Sequence, residues 1–322
     1  MHRGIGLFVS AVLAAPLALL ILVLLILALP VCVSPVFAME GGQSAYFKGY
    51  RDFLTGVVPQ QGVQIRHDLY VYSGTERSTI PQGELTLGVK QFSNVLGVTV
   101  VTPYRILGGD YGFAVRGGVT DIDVNQSLLN RFGVTTRRSG ELTAFNDIVI
   151  NPVIIGWHAG NFHWNVLAAV FLPAGNYDKN RLANTGRNVW AVSPQFGATY
   201  FDPKSGWELS GAAIYMNSSA NTDTNYRSGD IVHFDFAVGK MLTPALKLGV
   251  VGYHAQQLSA DSGAGAIFGH RKLRIAGIGP GVTYTFALND MVVNLVAKYY
   301  REFSAQNTSE GDAGTLSFRV KF

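Results

Sequence analysis

His233 and Asp235 stand two residues apart in IVHFDFAVGK, and on an extended chain that spacing puts both side chains on one face. An imidazole beside a carboxylate can move a proton or supply two ligands to a metal. Neither use is completed by the sequence. A serine nucleophile needs a base to hand, and nothing local brings Ser210 or Ser228 to His233. His158 and His163 flank a turn without a carboxylate at metal spacing. Gly277-Ile278-Gly279-Pro280-Gly281 imitates a phosphate loop, but it lies within a run that reads as strand and opens no helix. The sequence therefore nominates no catalytic residue, no metal site and no cofactor. Binding chemistry fares better. Trp190, Tyr226, Arg227, His233 and Asp235 mix aromatic surface with a few polar anchors, which suits small amphipathic molecules such as phenols. The blander reading makes Trp190 an interfacial aromatic and His233 with Asp235 part of a polar network.

What must position these residues follows from composition. Residues 1–38 carry Arg3, then a long apolar run, then a small-residue exit at Val36-Phe37-Ala38. This reads as a secretory signal peptide removed after Ala38, with an uncleaved anchor as the alternative because the run exceeds the usual ~7–15 residues. The single cysteine, Cys32, falls in that stretch, so the mature chain has no disulfides, thiol chemistry or cysteine zinc sites. The net charge of +4 is small and evenly spread, which argues against nucleic acid as a partner. Charged residues make up only 14%, against ~25% in an average globular domain. With 37 glycines, 14 tyrosines, 19 phenylalanines and no second long apolar run, the class that fits is an outer-membrane β-barrel.

Turn spacing supports that class. Twelve strands are expected at 65–73, 84–103, 111–122, 143–157, 162–172, 188–201, 206–216, 230–240, 245–257, 272–287, 291–303 and 312–322. Short connections such as His158-Ala159-Gly160-Asn161 and Asp202-Pro203-Lys204-Ser205 alternate with long polar ones at 123–142, 173–187, 217–229 and 258–271. Short periplasmic turns and long extracellular loops are the pattern of a barrel. Val232, Phe234, Phe236 and Val238 alternate with His233, Asp235 and Gly239, which predicts an outward lipid face and an inward polar one.

The chain ends LSFRVKF, with Leu316, Phe318, Val320 and Phe322 on one face. Outer-membrane lipid would bury that face, and the terminal Phe322 resembles the signal read by the barrel assembly machinery. Between leader and barrel, Tyr46, Phe47, Tyr50, Phe53 and Leu54 recur at spacings that predict a short amphipathic helix. This 39–64 segment is either a plug or periplasmic lid, or a loose leader. The expected organisation is a signal peptide at 1–38, the plug segment at 39–64, and an all-β antiparallel transmembrane barrel of about twelve strands at 65–322.

Several stretches in order then carry a family likeness: RILGGDYG (105–112), FLPAGNYD (171–178), NVW (188–190), GWELS (206–210), YRSG (226–229), GVVGY (249–253), Gln256-Gln257 and GIGPG (277–281). Together they resemble the family named for the meta-pathway of phenol degradation. That resemblance implies an outer-membrane transporter for passive uptake of small hydrophobic compounds, aromatic ones foremost, with no enzymatic activity. A general porin, a surface receptor or structural barrel, and a barrel enzyme acting on lipid are the alternatives.

Overall fold

The computed structural model describes residues 44–322 apart from 81–82, 267–270 and 290. The expected signal peptide at 1–38 lies outside the described residues. The strands are β1 (Gly62–Ile80), β2 (Gly83–Ile106), β3 (Gly109–Asn130), β4 (Thr135–Phe145), β5 (Ile148–Ala159), β6 (Phe162–Leu172) and β7 (Ala191–Asp202). They continue with β8 (Trp207–Ser218), β9 (Ile231–Met241), β10 (Leu246–Gln257), β11 (Arg274–Leu288), β12 (Met291–Gln306) and β13 (Glu310–Lys321).

Each strand pairs antiparallel with its neighbours, β1 pairs with β13, and the ring closes through β2–β3 and β3–β5. The barrel has twelve strand positions, because β4 and β5 share one flank of β3. Asp110–Arg116 of β3 pair with β5, and Val119–Leu129 pair with β4. Between the two, Asn146 holds the ladder together: its N–H donates to Gly118 O at 3.0 Å and its Oδ1 accepts from Gly118 N–H at 2.9 Å.

The strands exist because apolar residues alternate with small or polar ones, but the burial is inverted relative to a soluble protein. In β9 His233, Asp235 and Ala237 are buried, whereas Val232, Phe234 and Phe236 are partly exposed. Leu96, Val119, Phe145, Leu248, Val250 and Phe318 are exposed on the outside, while Glu208, Lys298, Glu302 and Ser317 are buried within. An apolar exterior around a polar interior requires lipid as the solvent. Among the described residues no helix is long and apolar enough to cross a membrane. At the rim that carries the chain end, β2 and β3 are joined by Leu107 and Gly108, both at positive φ (52° and 77°). Paired positive φ is the signature of a tight hairpin whose twist matches its strands.

Three expectations need correction. The polar 123–142 region is not a loop: β3 runs on to Asn130 and returns as β4, so a hairpin rises beyond the ring of twelve. β1 begins at Gly62 and runs to Ile80, earlier and much longer than the 65–73 read from the sequence. Tyr46–Leu54 form successive turns rather than a helix, because their side chains are drawn to different walls of the barrel.

Candidate binding chamber in the lumen

The lower lumen, toward the short turns, is filled by residues 44–61. Tyr46 donates its hydroxyl to Asp235 Oδ2 at 2.6 Å, and the Arg51 N–H donates to the same oxygen at 3.0 Å. The Arg51 guanidinium reaches β6 and β7, donating to Asn165 Oδ1 at 2.7 Å and Gln195 Oε1 at 3.2 Å. Leu54 N–H donates to Glu208 Oε1 at 2.6 Å, and Gly56 N–H to Thr199 Oγ1 at 2.9 Å. A Cβ on Gly56 would stand 2.4 Å from His163 O and Thr199 N, so only glycine lets the segment lie this close to the wall.

Buried ion pairs complete the fit. Asp52 bridges Lys298 (2.8 Å) and Arg319 (2.7 Å), and Lys298 also donates to Gly49 O at 2.7 Å. Lys48 pairs with Glu302, which additionally accepts from Tyr253 (2.6 Å), Tyr72 (2.9 Å) and Gly311 N–H (2.9 Å). Lys247 pairs with Glu208. Burial disfavours the charge on Asp52, but Arg319, Lys298 and Arg66 outweigh it and hold its carboxyl below the usual carboxylate range.

Above the segment lies a chamber of about 350 Å³. Its floor is Ser44, Ala45 and Phe47, and its apolar walls are Val89 and Val95 of β2, Ile122 and Val124 of β3, Val149 of β5 and Phe171 of β6. Its roof is the β6–β7 connection, Tyr177 to Val189, which drives Leu182 and Ala183 against Ile122 and Val124. The lining carries Arg116, Lys179, Arg181 and Arg187 but only one carboxylate, Asp147. Asp147 is engaged by backbone: Oδ1 accepts from Gly175 N–H at 2.9 Å and Oδ2 from Arg187 N–H at 3.0 Å. Burial raises its carboxyl above the ordinary value, an effect these bonds only partly offset.

The chamber reaches the junction where β3 passes from β5 to β4. On the lipid side of that junction an apolar cleft is lined by Leu96, Val119, Phe145 and Ile148. Gly117 and Asn146 line both the cleft and the chamber.

Of the five residues nominated from sequence, Tyr226 is buried and lines the chamber. His233 and Asp235 face inward but meet the N-terminal segment: His233 Nε2 is 3.3 Å from Ser44 Oγ, and its ring centroid is 4.9 Å from that of Tyr46. Arg227 donates through Nε to Ser218 O at 3.1 Å, in the loop above β8. Trp190 is 54% exposed just before β7, with its backbone N–H on Ser219 Oγ at 3.1 Å. The apolar walls were missed, since alternation alone does not mark which valines line a cavity. Arg116 left a trace as the one charge in FAVRGGV, and Arg181 and Arg187 as basic residues of a long loop.

An inside-out, closed barrel of twelve strand positions with a built interior defines the class: an outer-membrane β-barrel of the channel type. Its fold is similar to that of an outer-membrane channel from Pseudomonas putida F1, at TM-score 0.59 and 14% identity, over 83% of this chain and 97% of that one. Weaker likenesses include the transport unit of the Escherichia coli autotransporter AIDA-I (TM-score 0.44, 12% identity, 82% and 90% covered). A Pseudomonas aeruginosa FadL homologue gives TM-score 0.39 at 7% identity, with 89% and 98% covered. No curated protein matches by sequence. Residues 73–318, well over half the chain, match the model of the family described as "Putative MetA-pathway of phenol degradation", and the chain belongs to that family.

Proposed function

We propose that this protein admits small hydrophobic solutes, aromatic compounds of the phenol class foremost, passively across the outer membrane. The observation that carries the reading is the division of the lumen. The lower part is packed with the N-terminal segment, and the upper part holds an apolar chamber of a size that suits a single small ligand. A solute that enters between the long loops would partition onto Ile122, Val149 and Phe171, held there by burial of apolar surface. Its exit need not pass the segment, because the chamber adjoins the lipid-side cleft at Gly117 and Asn146. Such passage runs down a gradient and uses no cofactor. Export with removal of residues 1–38, and recognition by the assembly machinery through Phe322, belong to the same proposal. Phe322 is 61% exposed, with its N–H on Val63 O at 2.9 Å.

The test is uptake by cells with and without the protein, at limiting concentrations of labelled phenol, a long-chain fatty acid and a small sugar. Faster entry of phenol without faster entry of sugar is expected. Equal acceleration of the sugar would make the protein a general pore and overturn the reading.

A further inference from the structure

The charges of the lumen are distributed unevenly. In the lower part three acids are matched, Asp52 with Lys298 and Arg319, Glu302 with Lys48, and Glu208 with Lys247, while Asp235 accepts from Tyr46 and the Arg51 N–H. The chamber lining carries four cations and one carboxylate, Asp147, which accepts from the Gly175 and Arg187 backbone N–H groups and already attracts the Arg187 charge. The Arg116 guanidinium lies over the Tyr50 ring at 4.4 Å, and among the described residues it forms no ion pair. Arg181 donates through Nη2 to Asn176 Oδ1, while its Nε is buried without a hydrogen-bond partner. A half-buried guanidinium without an anion is open to one, and it is the group best shaped to take a carboxylate on two parallel bonds.

Resting on the uptake reading above, we infer that the chamber selects amphipathic anions, an aromatic ring bearing one carboxylate, through Arg116 and Arg181. The ring lies against Ile122, Val149 and Phe171, and the carboxylate supplies the charge that Asp147 cannot. A neutral ring of the same shape fills the apolar wall but leaves both guanidinium groups unmatched. The excess of positive charge beneath the mouth also raises the local concentration of anions, so binding weakens as salt screens it.

Calorimetric binding to the full chain in detergent tests this, with benzoate, its neutral isostere benzamide, and sulfate as an inorganic anion. Benzoate should bind about tenfold more tightly than benzamide, the effect of one charge-assisted contact. In the R116Q/R181Q double variant that ratio should fall to near one, chiefly through loss of benzoate affinity. R116K/R181K should retain part of the preference, which separates loss of charge from loss of folding. Equal binding of benzoate and benzamide, a preference that survives in R116Q/R181Q, or sulfate displacing benzoate at equal concentration would each overturn the inference. Phenol uptake is read separately. Uptake without a benzoate preference sinks this inference alone, whereas a benzoate preference without uptake sinks the transport reading alone.

Discussion

The two halves of this lumen are built from the same alternating strands and solve opposite problems. Toward the short turns, Asp52, Glu208 and Glu302 each find a cation, Asp235 is held by the Tyr46 hydroxyl and the Arg51 N–H, and backbone N–H groups of Leu54 and Gly56 close onto Glu208 and Thr199. Toward the long loops, cations outnumber carboxylates and valines replace the polar wall. A buried charge is tolerated only when it is paired. Asp52, Glu208 and Glu302 are therefore neutralised around the segment, whereas the chamber lining keeps an excess of positive charge. Satisfied polarity marks a plug; unsatisfied polarity beside apolar surface marks a receptacle.

The largest test of that contrast is Asp52→Ala, which leaves Lys298 and Arg319 buried without their anion. Breaking a buried pair in this way costs about 3–5 kcal/mol. The segment should undock, seen as a higher single-channel conductance with the barrel still folded. The same pair fixes the pH response. Because the folded Asp52 carboxyl is depressed, its contribution is fully present above the unfolded value near ~4 and is lost only as pH falls through the lower folded value. Conductance should thus be the same at pH 7 and pH 5 in the natural chain, and high at both in Asp52→Asn. An increase between pH 7 and 5 in the natural chain would contradict the assignment.

Smaller effects follow. Glu302→Gln removes the charge that holds Lys48, Tyr72 and Tyr253, and should lower thermal stability by about 2 kcal/mol. Gly156→Ala places a methyl 2.3 Å from Val58 Cγ2, and should cost about 1 kcal/mol through displacement of the segment. Arg116→Gln, in the upper half, should cost no more than about 1 kcal/mol, the contact over the Tyr50 ring, since no ion pair is lost. A large loss there would erase the distinction between the halves.

The barrel was legible because lipid and water impose a period of two and because turn residues recur between the strands. The His233/Asp235 face of β9 followed directly from that period. The β3–β4 hairpin was not legible: beyond the membrane neither of its faces needs to be apolar, so its composition reads as loop. The Tyr46–Leu54 spacing imitated a helix, yet Tyr46 and Arg51 are tethered to Asp235, Asn165 and Gln195 on separate strands. The chamber depends on which strands the β6–β7 connection folds over, and no local pattern encodes that. His233 and Asp235 were sound choices for inward polar residues, though their partners proved to be the chain's own N-terminal segment.

Phenol uptake by cells carrying Val124→Phe with Val149→Phe tests the account most directly. Both valines line the chamber, and Val149 belongs to the same hydrophobic cluster as Tyr46. With the barrel folded, as judged by heat-dependent mobility on a gel, uptake should drop to that of cells without the protein. Uptake at the natural rate through a filled chamber would contradict the claim that solutes bind there.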